Sequence, residues 1–489
     1  MRWLCLVAGL LVACSGSLPA TTDAKKSDGP TGDAGPDPND GARSGTRLKI
    51  TYWAFADGTR AWNQFYDAQR RENCYLSGPW TDGNYYCTPT QTSSIAWSDA
   101  GCTTKIAMVY NDPTCPQPAP PYALDYTSTA CTFSYSHLYN RGSQLGISQY
   151  YYQNSDGTCG GPYSAPSYSF YALGPEVVPA ASLVKLTIGS PTTSGTLGER
   201  FVTSADGLSF PWTTHDALLG ADCYAAAYDA SGTSAVCLPD AGYAGYNHDS
   251  ACTVPELSVS KTCTAPHYAE YFPQTACPSD PPKYFTVGSQ VASSPLYYAS
   301  GTQCTATTAD TSSNYFTTAQ TIQLSSLARA PDALVGHRIQ LIHDTTPEGL
   351  RLRDYALYDS QLGGECYVIA TPDGSSRCLT FGASISSGTF FKDAGCTQGI
   401  DLASVYIGPS ACTAPPAPKY ANKFVTPPPG SCTYSYEIHT VTGAYTAPVY
   451  VNNGSCVGYS QSANEVKLYS VGPAMDPSAF SLATAVTDQ

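Results

Sequence analysis

Eighteen cysteines in three sets of six constrain this chain more than any other feature. The sets are Cys74, Cys87, Cys102, Cys115, Cys131 and Cys159; Cys223, Cys237, Cys252, Cys263, Cys277 and Cys304; and Cys366, Cys378, Cys396, Cys412, Cys432 and Cys456. First-to-second spacings are 13, 14 and 12, and fifth-to-sixth spacings are 28, 27 and 24. A register kept three times over is the mark of internal repetition. Other residues keep step with it. Gly-x-Arg plus an apolar residue opens each set, at Gly45-Thr46-Arg47-Leu48, Gly198-Glu199-Arg200-Phe201 and Gly336-His337-Arg338-Ile339. Acidic-Gly turns follow at Asp57-Gly58, Asp206-Gly207 and Glu348-Gly349. An aspartate stands seven residues before each first cysteine (Asp67, Asp216, Asp359), and another three before each third (Asp99, Asp249, Asp393). The repeats are placed at 46–190, 197–330 and 336–487.

Between each first and second cysteine lies a turn signal, Asp82-Gly83-Asn84, Ser231-Gly232-Thr233 or Asp373-Gly374-Ser375, flanked by strand-like residues. That pattern reads as a hairpin with a cysteine on each arm. Apolar and polar residues alternate over Leu48-Lys49-Ile50-Thr51-Tyr52 and Tyr434-Ser435-Tyr436-Glu437-Ile438, the period of strands. With 37 Tyr, 42 Gly and 38 Pro, short aromatic strands and many turns are the natural reading. No window shows a capped helical period. The expected fold is all-β: three tandem disulfide-stapled repeats of short antiparallel strands, as separate β modules or, alternatively, as propeller-like blades.

Six cysteines per repeat allow fifteen pairings. The hairpin favours first to second, and by extension third to fourth and fifth to sixth. A bridge closing ~15 residues is worth ~3 kcal/mol in the chain-entropy model. Zinc fails on spacing, because no two of these cysteines lie two to four residues apart.

The N-terminus adds a second constraint. Arg2, an apolar run from Trp3 to Val12, and Leu11-Val12-Ala13-Cys14 form a signal peptide over 1–13. The run is about half the ~20 residues of a spanning helix. Its last four residues resemble the lipobox of bacterial lipoproteins. That resemblance implies cleavage before a lipidated Cys14 and, with Ser15 rather than Asp following, transfer to the outer membrane. Residues 14–45 are poor in large apolar side chains and read as a disordered tether.

With 38 acidic and 24 basic side chains the formal charge is −14, which disfavours nucleic acid and anionic head groups as partners. The histidines His137, His215, His248, His267, His337, His343 and His439 form no metal or nucleophile motif, and no phosphate or dinucleotide fingerprint occurs. We expect no catalytic residue, metal or cofactor. Asp67, Asp216 and Asp359 are expected to pair with Arg47, Arg200 and Arg338 or to accept turn N–H groups. A calcium site would need six to eight oxygens, against two aspartates per repeat. Tyr150-Tyr151-Tyr152, Tyr85-Tyr86 and Tyr297-Tyr298, with Trp53, Trp62, Trp80, Trp97 and Trp212, supply aromatic surface for thin cores or for stacking on a sugar or protein.

The six-cysteine module with Asp-x-x-Cys at its third cysteine resembles uncharacterised cysteine-rich repeat lipoproteins of gliding predatory soil bacteria, over residues 46–487. The second repeat departs most, with Asn247-His248 where the first has Trp97-Ser98. The resemblance implies envelope localisation and architecture but no activity. The functional expectation is a non-catalytic, membrane-anchored surface protein that binds a protein or glycan or serves as an envelope structure. The alternative is an extracellular hydrolase of glycans or peptides.

Overall fold

The computed structural model describes residues 41–488 apart from 112–116, 129–132, 155–156, 194, 228–232, 274–281, 293–294, 301–302, 333–334, 409–411, 413–414, 427–433 and 462–464. The signal peptide, Cys14 and most of the tether therefore lie outside the described residues. The regular secondary structure of the fold is nearly all strand.

Three four-stranded antiparallel meanders form its centre. The first runs Leu48–Phe55, Arg60–Asp67, Glu72–Ser77 and Tyr85–Pro89; the second Leu197–Ser204, Ser209–Asp216, Ala221–Ala227 and Ser234–Pro239; the third Ile339–Thr345, Arg351–Asp359, Gly364–Ala370 and Ser376–Thr380. Short strands join them edge to edge. Lys185–Ile188 pairs with Tyr85–Pro89 and with Leu197–Ser204, and Ser326–Pro331 pairs with Ser234–Pro239 and with Ile339–Thr345. Ala483–Thr487 pairs with Leu48–Phe55, while Leu482 just before it bridges Arg377 in the last meander strand. The two ends of the sheet thus meet. The ring closes there through a single bridge, which with Cys378 N–H donating to Ser481 O covers part of the two end strands. The propeller alternative gives way here, because backbone ladders run from each meander to the next, whereas blades pack face to face.

The barrels have their own apolar clusters, and a further part of the core lies at the junctions between meanders. Leu48, Ile50, Phe65 and Leu186 pack with Val202 and Phe210; Phe55 and Ala61 with Ile339, Leu341 and Leu357; Leu197 and Leu327 with Leu352. The Phe65 and Phe210 rings meet edge to face at 5.4 Å. The acidic-Gly turns seal the same junctions. Each places its glycine in the left-handed region (φ 90° at Gly58, 103° at Gly207, 91° at Gly349). The Asp206 carboxylate accepts from the N–H groups of Arg47 and Leu48, both at 2.7 Å, and Asp57 accepts from Ile339 N–H at 2.8 Å. Glu348 lies against Gly195, where a β-carbon would stand 3.0 Å from its Cγ. Each turn therefore touches the start of a neighbouring meander.

Between meanders the chain makes small barrels. In the first, Thr92–Trp97, Lys105–Tyr110, Tyr168–Glu176, Phe133–Leu145 and Tyr122–Ser128 close through a parallel pairing of Tyr122–Ser128 with Thr92–Trp97. A hairpin flap, Gln149–Gln153 with Cys159–Ser164, adds to its edge. In the third, Ala383–Ile385, Leu402–Tyr406, Val466–Ala474, Ser435–Ala444 and Tyr420–Val425 close in the same order, with a flap of Tyr450–Asn452 and Cys456–Gly458. Between 242 and 321 the order is again the same, but the first strand is split into Gly242–Tyr243 and Tyr246–Asn247. Its flap is Leu296–Ser300 with Gln303–Thr307.

The first-to-second bridges form as expected, Cys74–Cys87, Cys223–Cys237 and Cys366–Cys378, with Cα separations of 5.3, 5.3 and 5.2 Å. The expected third-to-fourth and fifth-to-sixth pairings do not. Third joins sixth in Cys102–Cys159, Cys252–Cys304 and Cys396–Cys456, each with Cα atoms 5.7 Å apart. The reason is the flap: its second strand doubles back and brings the sixth cysteine to the turn holding the third. Cys263 and Cys412 are also disulfide-bonded. Cys115, Cys131, Cys277 and Cys432 lie outside the described residues.

Candidate functional site: the layer beneath the three flaps

Each flap is moored to one kind of turn. Asp99 accepts from the N–H groups of Thr103 and Thr104 (3.1 and 2.7 Å) and from the Thr103 hydroxyl. Asp249 does the same with Thr253 and Val254, and Asp393 with Thr397 and Gln398. The cysteine between sits in left-handed backbone, with φ of 49°, 54° and 50° at Cys102, Cys252 and Cys396. L-residues seldom adopt that conformation unless their surroundings impose it. The carboxylate network and the bridge to the flap together hold it. The N–H bonds from Thr103 hold the Asp99 carboxyl down at about 2. These aspartates are turn formers. The threonine after each third cysteine, Thr103, Thr253 and Thr397, belongs to the same device and was a signal that sequence reading missed.

The other aspartates divide. Asp67 and Asp359 pair with Arg47 and Arg338 through two guanidinium nitrogens each. Arg200 departs from that expectation and pairs with Asp222 at 2.8 Å, while Asp216 takes the Ser325 hydroxyl, also at 2.8 Å. All three aspartates accept two turn N–H groups, as from Gln69 and Arg70, Leu218 and Leu219, and Gln361 and Leu362. Among the described residues no group of three or more His, Cys, Asp or Glu side chains is placed to hold a metal.

What differs among the barrels is the layer between barrel wall and flap. In the first it is aromatic. Tyr150 lies centrally, its ring 5.0 Å from Tyr152, 5.5 Å from Tyr163 and 5.8 Å from Phe170, above Ala96, Ile106 and Met108. Tyr110, 61% exposed, extends the cluster through Tyr168 at 5.4 Å. Burial and the neighbouring Tyr150 push the Tyr152 hydroxyl up to about 12. The other tyrosine and tryptophan candidates serve packing to varying degrees: Tyr86 and Trp80 are buried and meet edge to face at 6.0 Å.

In the second barrel the layer is ionisable. Glu256 stands three residues past Thr253, where the first and third barrels carry Ile106 and Ile400. It is 0% exposed, and neither carboxylate oxygen has a hydrogen-bond partner among the described residues. His248 Nδ1 lies 3.4 Å away, and its side chain is 43% exposed. Burial pushes the Glu256 carboxyl up, with His248 partly opposing.

In the third barrel the layer is apolar, with Leu402 and Leu468 of the wall packed against Val451 of the flap, and an open groove of about 640 Å³ lies beside the flap, with Thr389, Asn452, Asn453, Val457, Tyr459 and Ser460 in its lining. The Tyr459 ring meets that of buried Phe390 edge to face at 5.2 Å. A smaller polar cleft of about 440 Å³ lies between the first meander and its barrel, where Arg70 bonds Glu72 and Tyr122.

These features define a disulfide-clamped, all-β protein whose three flap layers differ in chemistry. The chain belongs to a family of unknown function, DUF7481, whose model matches residues 30–480. Neither the curated proteins nor the solved structures contain a match. The disulfides point to an oxidising compartment outside the cytoplasm. No helix among the described residues is long and apolar enough to cross a membrane.

Proposed function

We propose that this protein is a surface lipoprotein, held at the outer membrane through Cys14, whose three copies of one module present their flaps to a protein or glycan partner without transforming it. The observation that carries this reading is the tyrosine face of the first barrel. Soluble proteins rarely display a contiguous aromatic patch unless it meets a partner. Tyrosine is the ring best suited to that task, because it buries apolar area while its hydroxyl stays solvated. The ring of meanders and the bridges supply rigidity, and the tether supplies reach.

The anchor rests on one atom. Cys14→Ser is expected to block lipid attachment and leave the precursor uncut by the lipoprotein peptidase. Fractionation checks this, and a mutant cleaved after Ala13 that still partitions into detergent overturns the anchor.

One observation favours the hydrolase alternative. A buried carboxylate behind His248 Nδ1, with the rest of the ring reaching solvent, is the arrangement that orients a general base. The protein, solubilised in detergent, is therefore to be applied to immobilised polysaccharides and offered polysaccharide, peptide and ester substrates. We expect retention without turnover, reduced about tenfold by the double change Tyr152→Ala/Tyr163→Ala, equivalent to roughly 1.4 kcal/mol. Turnover abolished by His248→Ala would instead establish the hydrolase.

A further inference from the structure

We infer that the open groove between the third flap and Gly388-Thr389 is a binding site for a neutral sugar ring of an oligosaccharide. This deepens the binding reading and rests on it, but it concerns different residues. At about 640 Å³ the groove has room for a sugar ring while staying open to the rest of an oligosaccharide.

Its chemistry selects the ligand class. Asn452 and Asn453 offer amides, and Thr389 offers a hydroxyl, groups that both donate and accept. Tyr459 and Val457 supply the apolar wall. Among the described residues the lining holds no Lys, Arg, Asp, Glu or His. An anion would find no counter-charge in a chain of net charge −14, and a cation would find no carboxylate in the wall. A purely apolar ligand would bury the amides without partners, which is costly. A pyranose satisfies both halves of the wall, with hydroxyls for the amides and a C–H face for the tyrosine ring.

The site is also preorganised, which limits the entropy lost on binding. Cys396–Cys456 fixes the start of the strand carrying Val457 and Gly458. The Gln461 side chain donates to Tyr445 O at 3.1 Å and accepts from Leu468 N–H at 2.9 Å, holding the segment after Tyr459. Asn452 Oδ1 accepts from Gly454 N–H at 3.2 Å, which orients the amide NH₂ away from that turn.

Gly458 provides a clean test, because a β-carbon there would meet nothing within 4 Å and its backbone is not in the left-handed region. Gly458→Phe should fill the groove and leave the fold intact. The probes are cellotriose, maltotriose, chitotriose and mannotriose, with trigalacturonate as the charged comparison, titrated calorimetrically into the full-length protein solubilised in detergent. We expect at least one neutral trisaccharide to bind, with affinity falling tenfold or more in Gly458→Phe and Asn452→Ala, unchanged melting temperature in Gly458→Phe, and no loss in Tyr152→Ala/Tyr163→Ala. Binding that survives Gly458→Phe overturns the groove assignment; if the tyrosine pair then abolishes it, the binding reading still stands. Binding of trigalacturonate alone, or of no trisaccharide, also overturns the assignment. The binding reading falls with it only if polysaccharide retention is absent too.

Discussion

The double change Cys396→Ser/Cys456→Ser is expected to lower stability by about 4 kcal/mol, more than loss of Cys366–Cys378, which should cost about 3 kcal/mol. The bridges span 60 and 12 residues, and the longer loop removes more freedom from the unfolded chain. The longer bridge also helps hold Cys396 at φ 50°, so its loss should loosen the Asp393 turn and the flap together. Denaturant midpoints measure the first effect and amide exchange of residues 450–458 the second. The single change Cys396→Ser should accumulate less in cells than the double, because it leaves Cys456 free to mispair. Peptide mapping under non-reducing conditions tests the pairing directly. In the second set, Cys223–Cys237 and Cys252–Cys304 leave Cys263 and Cys277, so those two should be recovered joined. A peptide linking Cys102 to Cys115 would refute third-to-sixth pairing.

The contrast between the two kinds of bridge shows how far this sequence could be read. The first-to-second pairs were legible because both cysteines sit on one hairpin, where turn chemistry and strand period fix who faces whom. The third-to-sixth pairs were not, because they depend on a flap folding back across a barrel edge, which no local pattern encodes. The ring escaped for a related reason. Its linking strands, such as Lys185–Ile188, are too short to announce two partners at once. Within the candidate site, the aspartate three before each third cysteine was visible as a repeated residue, but its role emerged only with the threonine four residues on. Glu256 could have been found by laying the three sets on one another, since isoleucine stands at the equivalent place in the other two. The groove had no sequence signal, because amides, hydroxyls and one tyrosine are ordinary loop composition.

Buried ion pairs should separate the second meander from the other two. Asp359 is fully buried and accepts from Arg338 Nε at 3.0 Å and Nη2 at 2.7 Å, while Nη2 also donates to Ala479 O at 2.6 Å. Removing the guanidinium leaves a carboxylate in the core with two turn N–H groups and no counter-charge. Arg338→Ala is therefore expected to cost about 3–5 kcal/mol, the usual penalty for breaking a buried pair, and Arg47→Ala a similar amount. Arg200→Ala should cost no more than about 1 kcal/mol. Its pair with Asp222 is 29% and 38% exposed, and solvent screens it. Asp216, at the register of Asp359, keeps the Ser325 hydroxyl and the N–H groups of Leu218 and Leu219 whether or not Arg200 is present. The expected order in urea unfolding is large midpoint losses for Arg47→Ala and Arg338→Ala, a small one for Arg200→Ala, and a common slope. Equal losses in all three would mean that the arginines act through packing of their stems along the ring rather than as partners of the buried aspartates.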